Sequence, residues 1–160
     1  MSAIDHYIND VILHGETEAR QDGSAAIEAH HLLLGIAAQE GTAAHEILTS
    51  AGLDRQAIRD ALDREFEHSL GTAGVSLASF GLPAATPDPD RRVSLGASGR
   101  LCLERGFAHA KRKKDLRPGH LVLGILEAEV GTVPRAFALA GVDLAALTTR
   151  LQQALENGSW

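Results

Sequence analysis

The sequence predicts an all-α fold: a tandem duplication of a four-helix motif, giving about eight helices related by pseudo-twofold symmetry. Three observations carry that prediction. The chain repeats itself, since His31-Leu32-Leu33-Leu34-Gly35-Ile36 returns as His120-Leu121-Val122-Leu123-Gly124-Ile125 and Ala51-Gly52-Leu53-Asp54 returns as Ala140-Gly141-Val142-Asp143. Both returns fall 89 positions on, 31 to 120 and 52 to 141. Within each copy the apolar residues recur at helical spacing, punctuated by capping residues and glycines. Strand signals are weak, because Gly74-Val75-Ser76-Leu77 alternates briefly and finds no partner run elsewhere.

The same spacing aligns Ile4 with Val93, Asp5 with Ser94, Ile12 with Leu101, Ala19 with Ala108, Ile27 with Leu116, Leu48 with Phe137, Ile58 with Leu147 and Leu62 with Leu151. Most of these positions are apolar, so the duplication preserves a packing plan rather than a set of reactive groups, which points to a binding module. Ile4-Asp5 and Val93-Ser94 each read as a staple residue followed by an N-cap, and a first helix is expected to start at each. The first runs to about Gln21, where Asp22-Gly23-Ser24 stops it. Its counterpart runs through Leu101, Leu103 and Phe107 into the basic stretch after Lys111. The second helix of each half carries the His-Leu-x-Leu-Gly-Ile box. Glycine in a helix interior costs about 1 kcal/mol against alanine, so Gly35 and Gly124 predict a closely crossing neighbour. Gly41-Thr42 and Gly131-Thr132 open a third short helix, which Gly52 and Gly141 end as left-handed caps. Asp54 and Asp143 cap the fourth, amphipathic through Ile58 and Leu62 in one half and Leu144, Leu147, Leu151 and Leu155 in the other.

At 160 residues and 44% hydrophobic, the chain can bury one sizeable core, and the expected plan is a single domain with repeat one at 4–67 and repeat two at 93–156. Residues 68–92 between them read Gly, Ser, Ala and Pro and are expected to form a long flexible linker. Of Val75, Leu77, Phe80 and Leu82 in that linker some, Phe80 first, are expected to dock transiently on the groove between the repeats and compete with ligands. No run of 18 apolar residues exists, and Asp5, Asp10, Glu16 and Glu18 interrupt the first twenty positions, so the expected compartment is the cytoplasm, with no membrane partner. Cys102 is the only cysteine, which excludes an intramolecular disulfide and a four-thiolate zinc site. A formal charge of −6 opposes polyphosphate. The basic cluster Lys111, Arg112, Lys113, Lys114 and Arg117 falls at an expected helix C-terminus, where the helix dipole favours cations, so no nucleic-acid partner is expected.

Two four-helix motifs, each with a His-Leu-Leu-Leu-Gly-type second helix and an Ala-Gly-[Leu/Val]-Asp turn, resemble the amino-terminal domain of the Clp (Hsp100) unfoldases, especially the ClpA and ClpC type. The resemblance covers nearly the whole chain. It implies a non-catalytic module that binds Clp unfoldase or protease subunits, adaptors, substrate peptides or peptide-like small ligands, with no cofactor. These 160 residues hold no Gly-x-x-x-x-Gly-Lys-[Ser/Thr] loop, so the expected role is that of a regulator, adaptor or decoy without the AAA+ ATPase. The family usually carries Thr-Glu before the histidine box, and in ClpC that Glu is associated with phosphoarginine recognition. Here the equivalent pairs are Ala29-His30 and Pro118-Gly119. A guanidinium group requires a carboxylate for a bidentate contact, so loss of both copies weighs against phosphoarginine binding.

The resemblance places the expected binding surface along the groove flanked by the two equivalent helix starts, with Ile4, Asp5, Val93, Ser94, Leu95 and Ser98 along it and His30 and Gly119 at the altered positions. His31 and His120, repeated with their apolar neighbours, read as packing residues whose rings hydrogen-bond across the repeat interface. The alternative is a helical metal-binding protein or enzyme using Glu28, His31, Glu65 and His68. Two Glu-x-x-His pairs, with further glutamates, build di-iron sites in ferritin-like bundles. No nucleophile elbow or cysteine-centred signature supports hydrolysis.

Overall fold

The computed structural model describes residues 1–74, 87 and 89–160. Val75, Leu77, Phe80 and Leu82 lie outside the described residues. The order of elements is α1 (Ala3–Gln21), β1 (Ala26–Ile27), α2 (Ala29–Ala37), α3 (Ala43–Ser50), α4 (Arg55–Thr72), β2 (Ser94–Leu95), α5 (Ala97–His109), a 3-10 turn (Lys113–Asp115), α6 (Pro118–Leu126), α7 (Thr132–Leu139) and α8 (Leu144–Glu156). The described chain is thus mainly helical, two copies of four helices.

The histidine boxes form the centre. Leu32, Leu33, Leu34 and Ile36 of α2 and Leu121, Val122, Leu123 and Ile125 of α6 are all buried, and α2 packs on α6. The first helix of each repeat crosses its own second helix at the expected glycine. A Cβ on Gly35 would stand 2.7 Å from the Val11 carbonyl oxygen, and one on Gly124 would overlap the carbonyl oxygen of Cys102. Turn chemistry holds at the other end of each repeat. Gly52 and Gly141 have φ of 76° and 69°, and the carboxylates of Asp54 and Asp143 accept the amides of Ala57 and Ala146 at 2.7 and 3.0 Å.

The third and fourth helices cross between repeats. α4 packs on α7 and α3 on α8, while each fourth helix also touches its own second helix. Neither repeat therefore closes its core alone. Buried Glu65 on α4 reaches Arg135 on α7 at 2.8 Å, an ion pair across this exchange.

Three details differ from the sequence reading. The spacing of 89 holds for the second, third and fourth helices, but the first helices match at 91, Val11 with Cys102 and Gly15 with Gly106. Ala19 stands eight residues before Ile27, whereas Ala110 stands six before Leu116, so the second repeat is two residues shorter there. Leu101, aligned with Ile12 at 89, is accordingly 44% exposed, while Cys102 is buried.

Neither Asp5 nor Ser94 is an N-cap. Ser2 caps α1 in a capping box with Asp5, and Gly96 occupies the cap position of α5 because Ser94-Leu95 is extended and pairs in parallel with Ala26-Ile27. Finally, α4 runs past Glu67 to Thr72, with the Thr72 hydroxyl donating to the His68 carbonyl at 3.0 Å. α5 instead ends at His109, so the basic cluster follows a helix rather than closing it.

Candidate functional site

By pseudo-symmetry, the start of each first helix faces the connection between the first and second helices of the other repeat, and the two junctions are built differently. At the start of α5 the junction is closed. β1 and β2 pair, the Gly96 amide donates to the Ile27 carbonyl at 2.9 Å, and the Ser98 amide donates to the Glu28 carboxylate at 3.2 Å. The Ser98 hydroxyl also bonds Glu28 and accepts the Ala29 amide at 2.9 Å.

At the start of α1 the junction is open. A groove of about 710 Å³ runs between α1 and the end of α5, with Ile8, Phe107 and Leu116 as its apolar floor and Lys111, Arg112 and Lys113 along its rim. A second chamber of about 440 Å³ adjoins it, lined by Ser2, Ala3, Ile4, Lys114, Arg117 and Trp160. Asp5, Lys113 and Leu116 line both, and Lys113 Nζ stands 2.9 Å from Asp5 Oδ1, bridging the two chambers. Lys113 and the Ser2 hydroxyl and amide hold the Asp5 carboxyl far below its ordinary range. Trp160 meets Tyr7 edge-on at 6.2 Å between ring centroids, and the Arg117 guanidinium lies 6.0 Å over the indole.

The residues expected along the site divide between these places. Ile4 and Asp5 lie in the open groove. Ser94, Leu95 and Ser98 belong to the closed junction, and half-buried Val93 leads into it. Gly119 is buried on α6, where a Cβ would touch the Leu155 side chain at 3.2 Å. His30 is half-buried beside His31, with ring centroids 4.0 Å apart, and burial, seconded by the neighbouring imidazole, lowers its pKa to about 4. Phe107, Ile8 and Trp160 carry no signal that separates them from core residues. The basic cluster does carry one, a run of cations in an acidic chain.

The two box histidines bond within their own repeats rather than across the interface. His31 Nδ1 accepts the Glu28 amide at 3.0 Å, and His120 Nδ1 accepts the Arg117 amide at 2.9 Å, so each ring closes the first turn of its helix. With Nδ1 accepting, Nε2 of His31 carries the proton and donates it to Asp22 at 3.0 Å. Arg59 joins Asp22 to buried Glu18, which Arg55 also meets.

The Glu28, His31, Glu65 and His68 constellation is not assembled. Glu28 serves Ser98, His31 serves Asp22, and Glu65 serves Ser69 and Arg135. Asp22, His30 and His31 do bring ligand atoms within 4.8 Å of one another. The inward nitrogen of His31 is already committed as a donor, and the Arg59 guanidinium occupies the Asp22 carboxylate.

Residues 4–81 match the family of the Clp repeat (R) N-terminal domain. That match places a Clp repeat in the first half of the chain. Among solved structures, this chain is similar to the N-terminal domain of the caseinolytic protease associated chaperone ClpD from Arabidopsis thaliana, at 18% identity over 94% of this chain and 92% of that one, with a TM-score of 0.62. It is similar to the Hsp104 N-terminal domain from Candida albicans at 17% identity over 90% and 85%, TM-score 0.58. A chain from a malarial protein secretion system gives 18%, 94%, 92% and 0.62. At these identities the likeness establishes a shared fold. No curated protein matches the sequence. Among the described residues no helix is long and apolar enough to cross a membrane.

Proposed function

We propose that this Clp N-domain relative is a non-catalytic peptide- and protein-binding module of a Clp protease–chaperone system, acting as a regulator, adaptor or decoy. One observation carries the reading: the junction at the start of α1 is an open groove with an apolar floor, while the equivalent junction at the start of α5 is filled by its own strand pair. An extended segment fits such a groove, since its side chains can bury apolar surface against Ile8, Phe107 and Leu116 at about 25 cal/mol per Å² while polar groups reach the rim.

Affinity capture from the source cell lysate, run in parallel with Phe107→Glu, tests this. Recovery of a Clp unfoldase or protease subunit, an adaptor or a protease substrate by the unmodified protein, and its loss with Phe107→Glu, is the expected result. Equal recovery by both would move the site elsewhere. Absence of all such proteins, under conditions where an unfoldase N-domain retains them, would remove the pathway assignment.

A further inference from the structure

We infer that the smaller chamber, at the first turn of α1, selects acidic side chains, so that the partner segment is an acidic peptide with an apolar residue beside the acid. This rests on the peptide-binding reading above and names the chemistry of what binds.

The internal symmetry supplies the first argument. At the start of α5 the helix meets a carboxylate built into the chain, that of Glu28. The counterpart of Glu28 at the spacing of 89 is Arg117, so the start of α1 faces a cation where its twin faces an acid. One junction meets a carboxylate from the other repeat. The other meets cations from it, only one of which, Lys113, pairs with the helix's own Asp5.

Charge supplies the second. All five cations of the cluster line the two chambers. Asp115 pairs with Arg112 and Asp5 with Lys113, while among the described residues Lys111, Lys114 and Arg117 stand in no ion pair within 4 Å, the latter two sharing only the more distant field of Asp115. The chain as a whole carries −6, so this is a local reversal of sign. The amides of Ala3 and Ile4, whose residues line the smaller chamber, donate to nothing among the described residues, and they stand at the positive end of a 19-residue helix.

The walls then separate peptide from nucleic acid. Leu116 and Trp160 give the chamber apolar sides, which suit a Leu or Phe next to the acid. Arg117 already covers the indole and Tyr7 meets its edge, which leaves it poorly placed to stack a base.

Fluorescence anisotropy tests the inference with the full chain and three labelled probes at low salt: the hexapeptide Asp-Glu-Leu-Phe-Asp-Glu, its amide counterpart Asn-Gln-Leu-Phe-Asn-Gln, and an oligo-uridylate of equal charge. The acidic peptide is expected to bind about tenfold or more tighter than the amide, an advantage that shrinks as salt shortens the Debye length. Lys114→Glu, at an exposed position, should remove that advantage, weakening the acidic peptide about tenfold or more relative to the amide. Phe107→Ser should weaken both peptides. Equal affinity for the two peptides, or an acid preference indifferent to Lys114→Glu, overturns the inference. If the amide peptide still binds in a Phe107-dependent way, the groove itself stands. Binding of neither peptide overturns both readings, and tighter binding of the oligo-uridylate would assign the cations to nucleic acid.

Discussion

His31 holds three parts of the first repeat together. Its ring is 1% exposed, closes the first turn of α2 through the Glu28 amide, and ties that turn to Asp22 and through it to Arg59 on α4. Truncation would leave a buried amide without its acceptor and a cavity in place of the ring. His31→Ala is therefore expected to cost about 2–4 kcal/mol in urea unfolding. His120→Ala should cost less, because that ring is only half-buried. Equal losses would contradict this.

The neighbouring His30 makes stability depend on pH. In the unfolded chain it takes a proton near about 6.5, but in the folded protein only near about 4, held down by burial and His31. Between those values the unfolded state binds the extra proton, so stability falls as pH drops through the window. The loss is roughly 2 kcal/mol after allowance for the ring's partial exposure. Asp22 and Glu28 oppose the shift and Arg59 reinforces it. His120, also lowered by burial, adds to the same slope. Urea midpoints between about pH 7 and 4.5 should fall less steeply for His30→Gln than for the parent protein. An unchanged slope would place the titration elsewhere.

At the scale of elements, the sequence shows its plan wherever a local rule and a tertiary contact agree. Asp54, Asp143, Gly52 and Gly141 announce turns that any packing would use, and the structure keeps each. The first helices were legible as helices but not in register. A two-residue difference in a loop changes which face meets the core without changing helical periodicity, and that face is decided by where Gly35 and Gly124 admit the crossing backbone. The strand pair was illegible for a related reason: two residues make no pattern, and their pairing depends on how the repeats meet. The crossings give a sharp prediction. Gly124→Ala, whose methyl would overlap the Cys102 carbonyl, should cost about 3 kcal/mol or more, and Gly35→Ala somewhat less. Gly71→Ala, in α4 with nothing within 4 Å, should be neutral or stabilise by up to about 1 kcal/mol. Thermal unfolding of the three variants checks the order, which a loosely packed crossing would erase.

Across the whole molecule, the exchange of fourth helices makes two repeats into one folding unit, since α4 finds much of its packing on α7 and α8 on α3. A chain limited to residues 1–74 should therefore be largely unfolded as a monomer by circular dichroism, or fold only as a dimer that restores the exchange. A stable monomeric fragment would contradict this.

The candidate groove was half legible at this scale. The pairing of helix starts pointed to the junctions, and Ile4 and Asp5 do line the open one. Symmetry alone did not reveal that Ser94-Leu95 fills one junction while the cations after His109 open onto the other. The most direct test of the groove is a titration of isotope-labelled protein with the acidic hexapeptide, followed by amide chemical shifts. The changes should concentrate in the first turns of α1, from Phe107 through Arg117, and at Trp160. Changes confined to Ala26–Ser98 junction residues, or spread evenly over the surface, would contradict it.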